Sequence, residues 1–393
     1  MYGASGVGFA GANLVLARML PKDEYALFTL VLALVNFGFA LATAGIDGIA
    51  LRQALEFGPR LLVRVVAAAL VAAVGLGVVA EVAYDLTLPL LAMLVVSAAA
   101  GGIMVVAGAR FQREQRFGLS LSLVQSPNFF LALAAAVVVA AGAGHAWVPL
   151  LIATAGFVLG AWYGWWLLLS EREAKPDRGS AFSWREALAF AGLSASGLLL
   201  VQLERFVIPH VLPLGDLATY GVLAAIVGSP FRVLQNSVGY SLLPRLAAAS
   251  SVPERRRLIR RELRLAGLLV MLASAAVWIA VPLVEHWFLA GKYDLSSALV
   301  FAAILAGLAK VLNAFTRATV TALASARELS LINVLGWVSV VIAAAAATYA
   351  GRWGLPGVIY GVGLGWLLRA VAALWVSVRY LRMPAPGTEG AFT

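Results

Sequence analysis

Unbroken apolar runs of about 20 residues recur from one end of this chain to the other, and they restrict its fold more than any other feature. A helix of about 20 apolar residues crosses the hydrocarbon core of a bilayer. The composition agrees, since 62% of the 393 residues are apolar and 12% are charged, whereas soluble domains have about 25% charged residues. Membrane strands would instead alternate over about ten residues. We therefore predict an all-α, polytopic membrane protein.

The breaks at charged residues, Pro and Gly give about twelve predicted transmembrane helices. These segments are residues 2–20, 25–46, 61–80, 86–109, 118–141, 146–169, 187–212, 217–243, 265–284, 295–324, 329–349 and 355–378. The first segment has no positively charged n-region, so it does not have the pattern of a secretory signal. It is rich in glycine, and either it packs tightly through small residues or the true start lies upstream.

The basic residues between the runs alternate in density along the chain. One set of connections carries 20 of the 29 Lys and Arg residues, and the opposite set carries four: Arg18, Lys22, Lys292 and Arg352. Short loops rich in Lys and Arg stay in the cytoplasm, so both termini are predicted to be cytoplasmic. This placement accounts for the net charge of +10 by membrane topology, and we expect no nucleic-acid partner.

Two features divide the chain into halves of six helices. The polar stretch Ser170–Arg185 is typical of a linker. The segment Leu20–Phe28 (LPKDEYALF) is echoed by Leu212–Tyr220 (LPLGDLATY) at the corresponding outer turn of the second half. Because six is even, the two lobes would be related by a parallel repeat. The predicted domains are an N-terminal lobe at 1–170, a cytoplasmic linker at 171–186, a C-terminal lobe at 187–380 and a cytoplasmic tail at 381–393.

Five basic side chains and one acidic side chain fall inside predicted spans of the second half. They are Arg205, Arg232, Lys310, Arg369 and Arg317, with Glu204 as the acid. A charge at the centre of a membrane helix costs about 2.5–3.5 kcal/mol, so these groups should face protein or water. We interpret the first four as the cationic wall of a substrate cavity suited to phosphate, with Glu204 as a coupling or structural group. The structural alternative pairs Glu204 with one base and lets Arg317 reach toward the cytoplasm.

Prolines inside two spans mark places where a helix can bend. Gly228-Ser229-Pro230 precedes Arg232, and Gly228 and Pro230 form a candidate hinge. Ser126-Pro127-Asn128 lies within the fifth span. Proline is common in membrane helices, so the structural interpretation stays open for both sites. Four aromatic residues at 162, 163, 165 and 166 end the sixth span and predict an interfacial belt.

The residue inventory argues against an enzyme. There is no cysteine, and the three histidines, His145, His210 and His286, are far apart in sequence. We therefore predict no catalytic residues, no metal site and no cofactor. The outer connections of ten residues or fewer leave no room for a membrane glycosyl polymerase or ligase.

Three motifs resemble a known family, the bacterial polysaccharide and O-antigen flippases of the multidrug/oligosaccharidyl-lipid/polysaccharide exporter superfamily. Residues Ala17–Tyr25 (ARMLPKDEY) are similar to the family's R-x-L-G-P-E-E-Y-G turn. Residues Leu203–Ile208 (LERFVI) resemble its L-D-R-x-x-I in helix 7, and Ala218–Val222 follows in the expected place. The sequence departs from the pattern at Leu20 and Ala26, where the family has glycine, and Glu204 stands for Asp.

The resemblance implies two six-helix lobes that work by alternating access in the bacterial cytoplasmic membrane. It implies transport of an oligosaccharide linked to undecaprenyl diphosphate, for surface polysaccharide and lipopolysaccharide biosynthesis. Membrane lipids and polysaccharide-assembly enzymes would be its partners. Two alternatives remain open: a cation-coupled multidrug exporter of the multidrug and toxin extrusion type, and a non-transporting membrane scaffold. A cation-coupled exporter uses carboxylates inside a lobe, and the first half has none in mid-span.

The charge asymmetry makes a topological prediction that this Cys-free chain tests directly. Single cysteines at Ser180 and Asp294 should react oppositely with a membrane-impermeant thiol reagent added to intact cells, with only the Asp294 position labelled. Equal labelling of both positions would contradict the twelve-helix topology.

Overall fold

The computed structural model describes residues 2–52, 55–171, 182–248, 251–324 and 326–380. Within these ranges every regular element is helical, which confirms the predicted all-α fold. A π-helical turn at Val284–Phe288 continues α11, and a short 3-10 turn at Gly351–Trp353 precedes α14. The helices are α1 (Tyr2–Met19), α2 (Lys22–Ala42), α3 (Ile46–Arg52), α4 (Pro59–Tyr84), α5 (Leu88–Arg113), α6 (Phe117–Ala141), α7 (Trp147–Glu171), α8 (Trp184–Val211), α9 (Leu214–Ile226), α10 (Gly228–Ala248), α11 (Val252–Leu283), α12 (Ser297–Leu323), α13 (Ala326–Ala350) and α14 (Leu355–Tyr380).

Ten of the described helices are long and apolar enough to cross a membrane, and the bent pair of α9 and α10 makes an eleventh candidate. The 18-residue helix α1, predicted as the first span, is not among these candidates. The chain is a multi-pass membrane protein. The predicted linker at 171–186 lies mostly outside the described residues, as do Ser180 and the tail at 381–393.

The spans pack through small residues and turn large ones outward. On α4, Ala69, Ala73 and Ala80 are fully buried, whereas Val71 and Val82 are 76% and 85% exposed. Because lipid chains are as apolar as valine, burying valine between helices contributes little to their association. The helices instead associate through close backbone packing at small residues. A cluster of alanines from α2, α4 and α5 is the result.

The chain divides into two compact units. Unit 1 comprises Met1–Pro209 with Pro213–Gly221, and unit 2 comprises His210–Leu212 with Val222–Thr393. Helix α8, the first helix of the predicted C-terminal lobe, packs in unit 1, where the Tyr84 hydroxyl donates to the carbonyl of Phe206 at 3.1 Å. The lobe boundaries at 1–170 and 187–380 stay a prediction.

In unit 1, α5 lies against α2, α4, α6 and α7. Helices α5 and α7 run parallel. The hydroxyl oxygens of Ser97 and Thr154, 57 residues apart, are 2.8 Å from each other. The indole N–H of Trp165 donates to the carbonyl of Ile103, 62 residues earlier, at 2.9 Å.

Unit 2 repeats this arrangement with its own helices. Helix α12 packs on α10 and α14, and α14 packs on α13. The pair α12 and α14 is also parallel. A Cβ at Gly363 would lie 3.7 Å from Ala306, and the Ser377 hydroxyl is 3.4 Å from the carbonyl of Thr316, 61 residues earlier. The fourth and sixth helices of each half therefore pack alike, which agrees with the predicted parallel repeat.

The turn between α2 and α3 requires glycine at one position. Gly45 has φ +76°, and a Cβ there would lie 1.8 Å from the carbonyl oxygen of Ala187 on α8. The left-handed conformation costs a non-glycine residue about 1–3 kcal/mol, and backbone atoms leave no room to relax. Gly45 is thus the point at which α8 approaches the α2–α3 turn within unit 1.

We predict that Gly45→Ala strongly lowers the thermal stability and the yield of folded protein in detergent. Two controls separate the causes. Gly142→Ala has φ +61° but open space at the Cβ, so it should lose only the conformational part. Gly192→Ala, inside α8, has neither problem and should be at least as stable as wild type. Equal losses at Gly45 and Gly142 would contradict the proposed contact with Ala187.

Candidate functional site

The four predicted substrate-binding bases lie on four different helices of the second half. Arg205 is on α8 and belongs to unit 1, while Arg232 on α10, Lys310 on α12 and Arg369 on α14 belong to unit 2. One of the four bases thus lies in unit 1 and the other three lie in unit 2. The acid Glu204 lies in unit 1.

Arg205 is half-buried and held in a defined position. Its Nη1 donates to Oε1 of Gln202 at 2.8 Å, and its guanidinium carbon is 5.4 Å from the ring centre of Tyr220. One bond comes from the preceding turn of α8 and the other contact from α9. These contacts fix the guanidinium without neutralising its charge.

The ring of Tyr220 lies beside Arg205 where the middle of α9 packs on α2. A Cβ at the adjacent Gly221 would be 2.8 Å from the hydroxyl of Thr29 and 3.2 Å from the ring of the fully buried Tyr25. The segments that echo each other, Leu20–Phe28 and Leu212–Tyr220, therefore end side by side in unit 1. The absence of a side chain at Gly221 permits this approach.

Glu204 and Arg205 are adjacent in sequence but lie in different environments. Successive helical residues are about 100° apart around the axis. Glu204 is 1% exposed, inside unit 1, whereas Arg205 is half-buried. The two neighbours therefore do not form one charged patch.

Two of the predicted bases of unit 2, Lys310 and Arg369, lie on the packed helix pair α12 and α14. Lys310 Nζ is 5.9 Å from the ring centre of Trp366, and Arg369 lies one turn further along α14. Arg369 is 6% exposed, and Arg317 lies on the helix α12 that packs against α14. Asn313, one turn after Lys310, is also buried. Arg317 itself is exposed.

Arg232 on α10 follows a residue that packs on α12. The preceding residue, Phe231, packs so closely on α12 that a Cβ at Gly307 would lie 2.7 Å from its ring. Arg232 is exposed, and it follows the phenylalanine that anchors α10 to α12. Within unit 2, α10, α12 and α14 therefore each carry at least one base.

Sequence analysis missed Trp366 and Tyr220, each of which lies beside a predicted base. Trp366 is three residues before Arg369, a spacing that places both on one side of α14. That spacing was visible in the sequence. The contact of Trp366 with Lys310, 56 residues earlier, depends on the parallel packing of α12 and α14 and leaves no local signal.

The candidate hinge at Gly228 and Pro230 coincides with a break in the helix. Helix α9 ends at Ile226, α10 begins at Gly228, and their axes bend by 50°. Proline has no N–H, and its ring excludes the carbonyl of the residue four positions earlier. For Pro230 that residue is Ile226, the last residue of α9. Movement of the helix at this break during function stays a prediction.

The other Ser-Pro pair, Ser126-Pro127, does not break its helix. Helix α6 continues through Pro127, whose ring frees the carbonyl of Leu123. The hydroxyl of Ser126 donates to that same carbonyl at 2.7 Å. At the break, Ser229 instead donates to the carbonyl of Ala225, one position before the freed group. A side-chain donor thus keeps α6 continuous.

We predict that Ser126→Ala lowers the unfolding free energy by about 1 kcal/mol, because the part-buried carbonyl of Leu123 loses its donor, as does the carbonyl of Gly156 on α7, which is 3.3 Å from the same hydroxyl. Ser122→Ala is the matched control on the same helix. Its exposed hydroxyl donates to the carbonyl of Leu119, which no proline has freed, so its loss should have little effect. Thermal unfolding in detergent measures both, and equal effects would contradict this role for Ser126.

Among the described residues, no group of three or more His, Cys, Asp or Glu side chains is arranged to hold a metal ion. The groups that converge in unit 2 are instead nitrogen donors. Such a set suits an anion.

No family model matches the chain, and the search of curated proteins gave no match. Solved structures do match along nearly its whole length. A multidrug resistance MATE family transporter of the MOP superfamily, in an inward-facing conformation, is 14% identical with a TM-score of 0.66, covering 96% of this chain and 94% of that one.

Two further structures differ from it in described role. The lipid II flippase MurJ, in an inward closed conformation, is 10% identical with a TM-score of 0.67, covering 95% of this chain and 86% of that one. A MOP superfamily transporter from Pyrococcus furiosus, for which the reverse polarity of the binding pocket suggests a different function, is 14% identical with a TM-score of 0.55. The match covers 96% of this chain and 94% of that one. These likenesses show that the chain has the two-lobe fold of MOP superfamily transporters.

Proposed function

We propose that this protein is a flippase that moves a lipid-diphosphate-linked oligosaccharide across the bacterial cytoplasmic membrane for surface polysaccharide biosynthesis. It would work by alternating access with both termini in the cytoplasm, and its substrate could reach it from membrane-bound assembly enzymes. The fold shared with transporters, one of them a lipid II flippase, supports the proposal. The sequence motifs around Arg18 and Glu204 add to it.

The observation that carries the proposal is the sign of the intramembrane charge. The spans α10, α12 and α14 contain Arg232, Lys310, Arg317 and Arg369 and no acidic residue. The one intramembrane acid of the second half, Glu204, is 1% exposed in unit 1. A diphosphate carries negative charge that Arg and Lys bind by charge-assisted hydrogen bonds.

The bases would have different tasks. In unit 2, Arg232 is exposed and Lys310 is half-buried, so these two would contact the diphosphate directly. Arg205 of unit 1 is also half-buried and stays a predicted substrate-binding base. A guanidinium has five N–H donors, and the bond from Arg205 to Gln202 uses one of them. Arg369, at 6% exposure, would act from behind by raising the local positive potential.

Movement would use the break between α9 and α10. Alternating access needs elements that change direction with little loss of packing or hydrogen bonding. The span is already bent by 50° where α10 begins at Gly228, four residues before Arg232. A rotation at that point would change the position of Arg232 and leave α9 intact.

A cation-coupled multidrug exporter is the second candidate, because the fold matches a MATE transporter as well as it matches MurJ. Its chemistry would centre on the buried Glu204 and on cationic substrates. The two candidates predict opposite effects of charge removal. A flippase loses activity when bases are removed, whereas an exporter of cations depends on the acid.

We predict that Arg205→Ala, Arg232→Ala and Lys310→Ala each lower glycan export severalfold with protein abundance near wild type. None of the three side chains is fully buried, so we expect the loss to be functional and not a loss of folded protein. The assay is surface glycan in a flippase-deficient cell, with abundance followed by immunoblot. Arg260→Ala, which removes one exposed arginine from the start of α11, is the matched control and should export normally.

Three results separate the hypotheses. Wild-type glycan in all three variants would refute the cationic substrate site. Loss of the proteins from the membrane would support structural pairing, since breaking a buried pair costs several kcal/mol. Normal glycan combined with loss of drug efflux in Glu204→Gln would favour the multidrug exporter.

A further inference from the structure

Helix α11 turns one face toward the outside of the protein along most of its length. Among the ten candidate spans of the described residues, α11 with its π-helical continuation has the smallest buried share, 17%. Its inward positions are Ala266, Val270 and Val277, which are spaced by four and seven residues and are buried in unit 2. On the opposite side, Met271 and Ile279 are 64% and 65% exposed. An exposed apolar face on a membrane-spanning helix meets lipid, so this outer face of α11 is a lipid-facing surface.

Three arginines at the start of α11 lie on this same outer face. Residues separated alternately by four and three positions stay on one side of a helix. Such a series joins the arginines to the apolar face, and it consists of Arg257, Arg261, Arg264, Leu268 and Met271. All five side chains are exposed. The positive charge and the lipid-facing surface are therefore continuous.

The acidic residues of this segment do not balance its arginines. Residues 253–264 contain six arginines but only two acids, Glu254 and Glu262. Glu262 is paired with Arg245 of α10, whose Nη1 lies 2.7 Å from its Oε1. Arg255, on the inward side of α11, is buried. The start of α11 therefore keeps a net positive charge, and part of that charge is on the outer face.

The length of α11 places these arginines at the level of the lipid headgroups. The segment Leu265–Leu283 contains no charged residue. At about 1.5 Å per residue it extends about 28 Å, which matches a hydrocarbon core of about 30 Å. Beyond its far end Trp287 is 80% exposed, as is typical of a tryptophan at the membrane–water interface. Arg264 therefore lies at the edge of the hydrocarbon, and Arg257 lies about 10 Å further out.

We propose that the outer face of α11 binds the headgroup of an anionic phospholipid through Arg257, Arg261 and Arg264. A guanidinium binds phosphate oxygens by charge-assisted, bidentate hydrogen bonds. Basic clusters next to a membrane span attract anionic lipids in this way. The acyl chains would lie along Leu268 and Met271, one and two turns beyond Arg264. An acidic soluble protein could pair with the arginines, but only a lipid also covers the apolar residues that continue the same face.

Membrane topology alone does not require this arrangement. The rule that basic loops stay in the cytoplasm counts Lys and Arg near the end of a span, whichever side of a helix they occupy. Here the side matters, because Arg257, Arg261 and Arg264 continue the exposed stripe whereas Arg255 turns inward. The inference concerns the lipid around unit 2, and it does not depend on what the protein transports.

The test uses brominated lipids, which quench a fluorophore that they contact. The full-length, Cys-free chain receives one fluorophore at Leu268→Cys and is reconstituted into phosphatidylcholine bilayers with increasing brominated phosphatidylglycerol or brominated phosphatidylcholine. We expect phosphatidylglycerol to quench at a severalfold lower mole fraction than phosphatidylcholine. Ile279→Cys is the matched control, because it lies on the same face about 16 Å further along, toward the other leaflet. It should be quenched equally by both lipids.

Two triple variants connect the preference to the arginines. Arg257→Gln, Arg261→Gln and Arg264→Gln together should lower the preference at position 268 to that at position 279. The corresponding three lysine substitutions keep the charge and should keep most of the preference. Equal quenching by the two lipids at position 268 in the chain with all its arginines would overturn the proposal without any variant. A preference that persists in the glutamine variant would also overturn it. Loss of the preference in millimolar inorganic phosphate at constant ionic strength would instead assign the arginines to free phosphate.

Discussion

Inside a bilayer every backbone N–H and carbonyl must find its partner within the protein, and this requirement underlies the rest of the structure. It explains why the described residues form helices and why the two intramembrane Ser-Pro pairs matter. Each proline frees one carbonyl. Where the Ser126 hydroxyl takes the place of the missing N–H, α6 continues. Where Ser229 bonds a different carbonyl, the span bends by 50°. The continuous helix and the broken span thus differ in which carbonyl the serine hydroxyl bonds.

Helix association follows from a second property of lipid. Without a hydrophobic driving force between helices, close contact depends on small residues and a few polar bonds. The parallel pairs α5–α7 and α12–α14 illustrate both, with glycine and alanine at the contact and hydroxyl groups between the helices. The same packing recurs in both halves, so the weak echo between Leu20–Phe28 and Leu212–Tyr220 has a counterpart in three dimensions.

Charge gives the shared fold its individual chemistry. MATE transporters and a lipid II flippase share this architecture, and a fold of this kind hosts different substrates through the residues placed on it. Here the residues placed inside the second unit are bases. Their cost in a low-dielectric region is lowered by an anion, and the proposed diphosphate substrate derives from that electrostatic requirement.

The sequence by itself determined the features that depend on local chemistry. Hydropathy predicted the helices, and Pro230 predicted a break whose position follows from its fourth preceding residue. Only the tertiary structure decided which distant residues meet. Arg205 packs in unit 1 beside Tyr220, and Lys310 finds Trp366 across 56 residues. Of the four aromatic residues predicted as an interfacial belt, Trp162, Tyr163 and Trp166 are exposed, whereas Trp165 turns inward to the carbonyl of Ile103. The reason is physical: hydropathy and proline act within a few residues, while the direction a side chain faces is set by neighbours that the chain order does not specify.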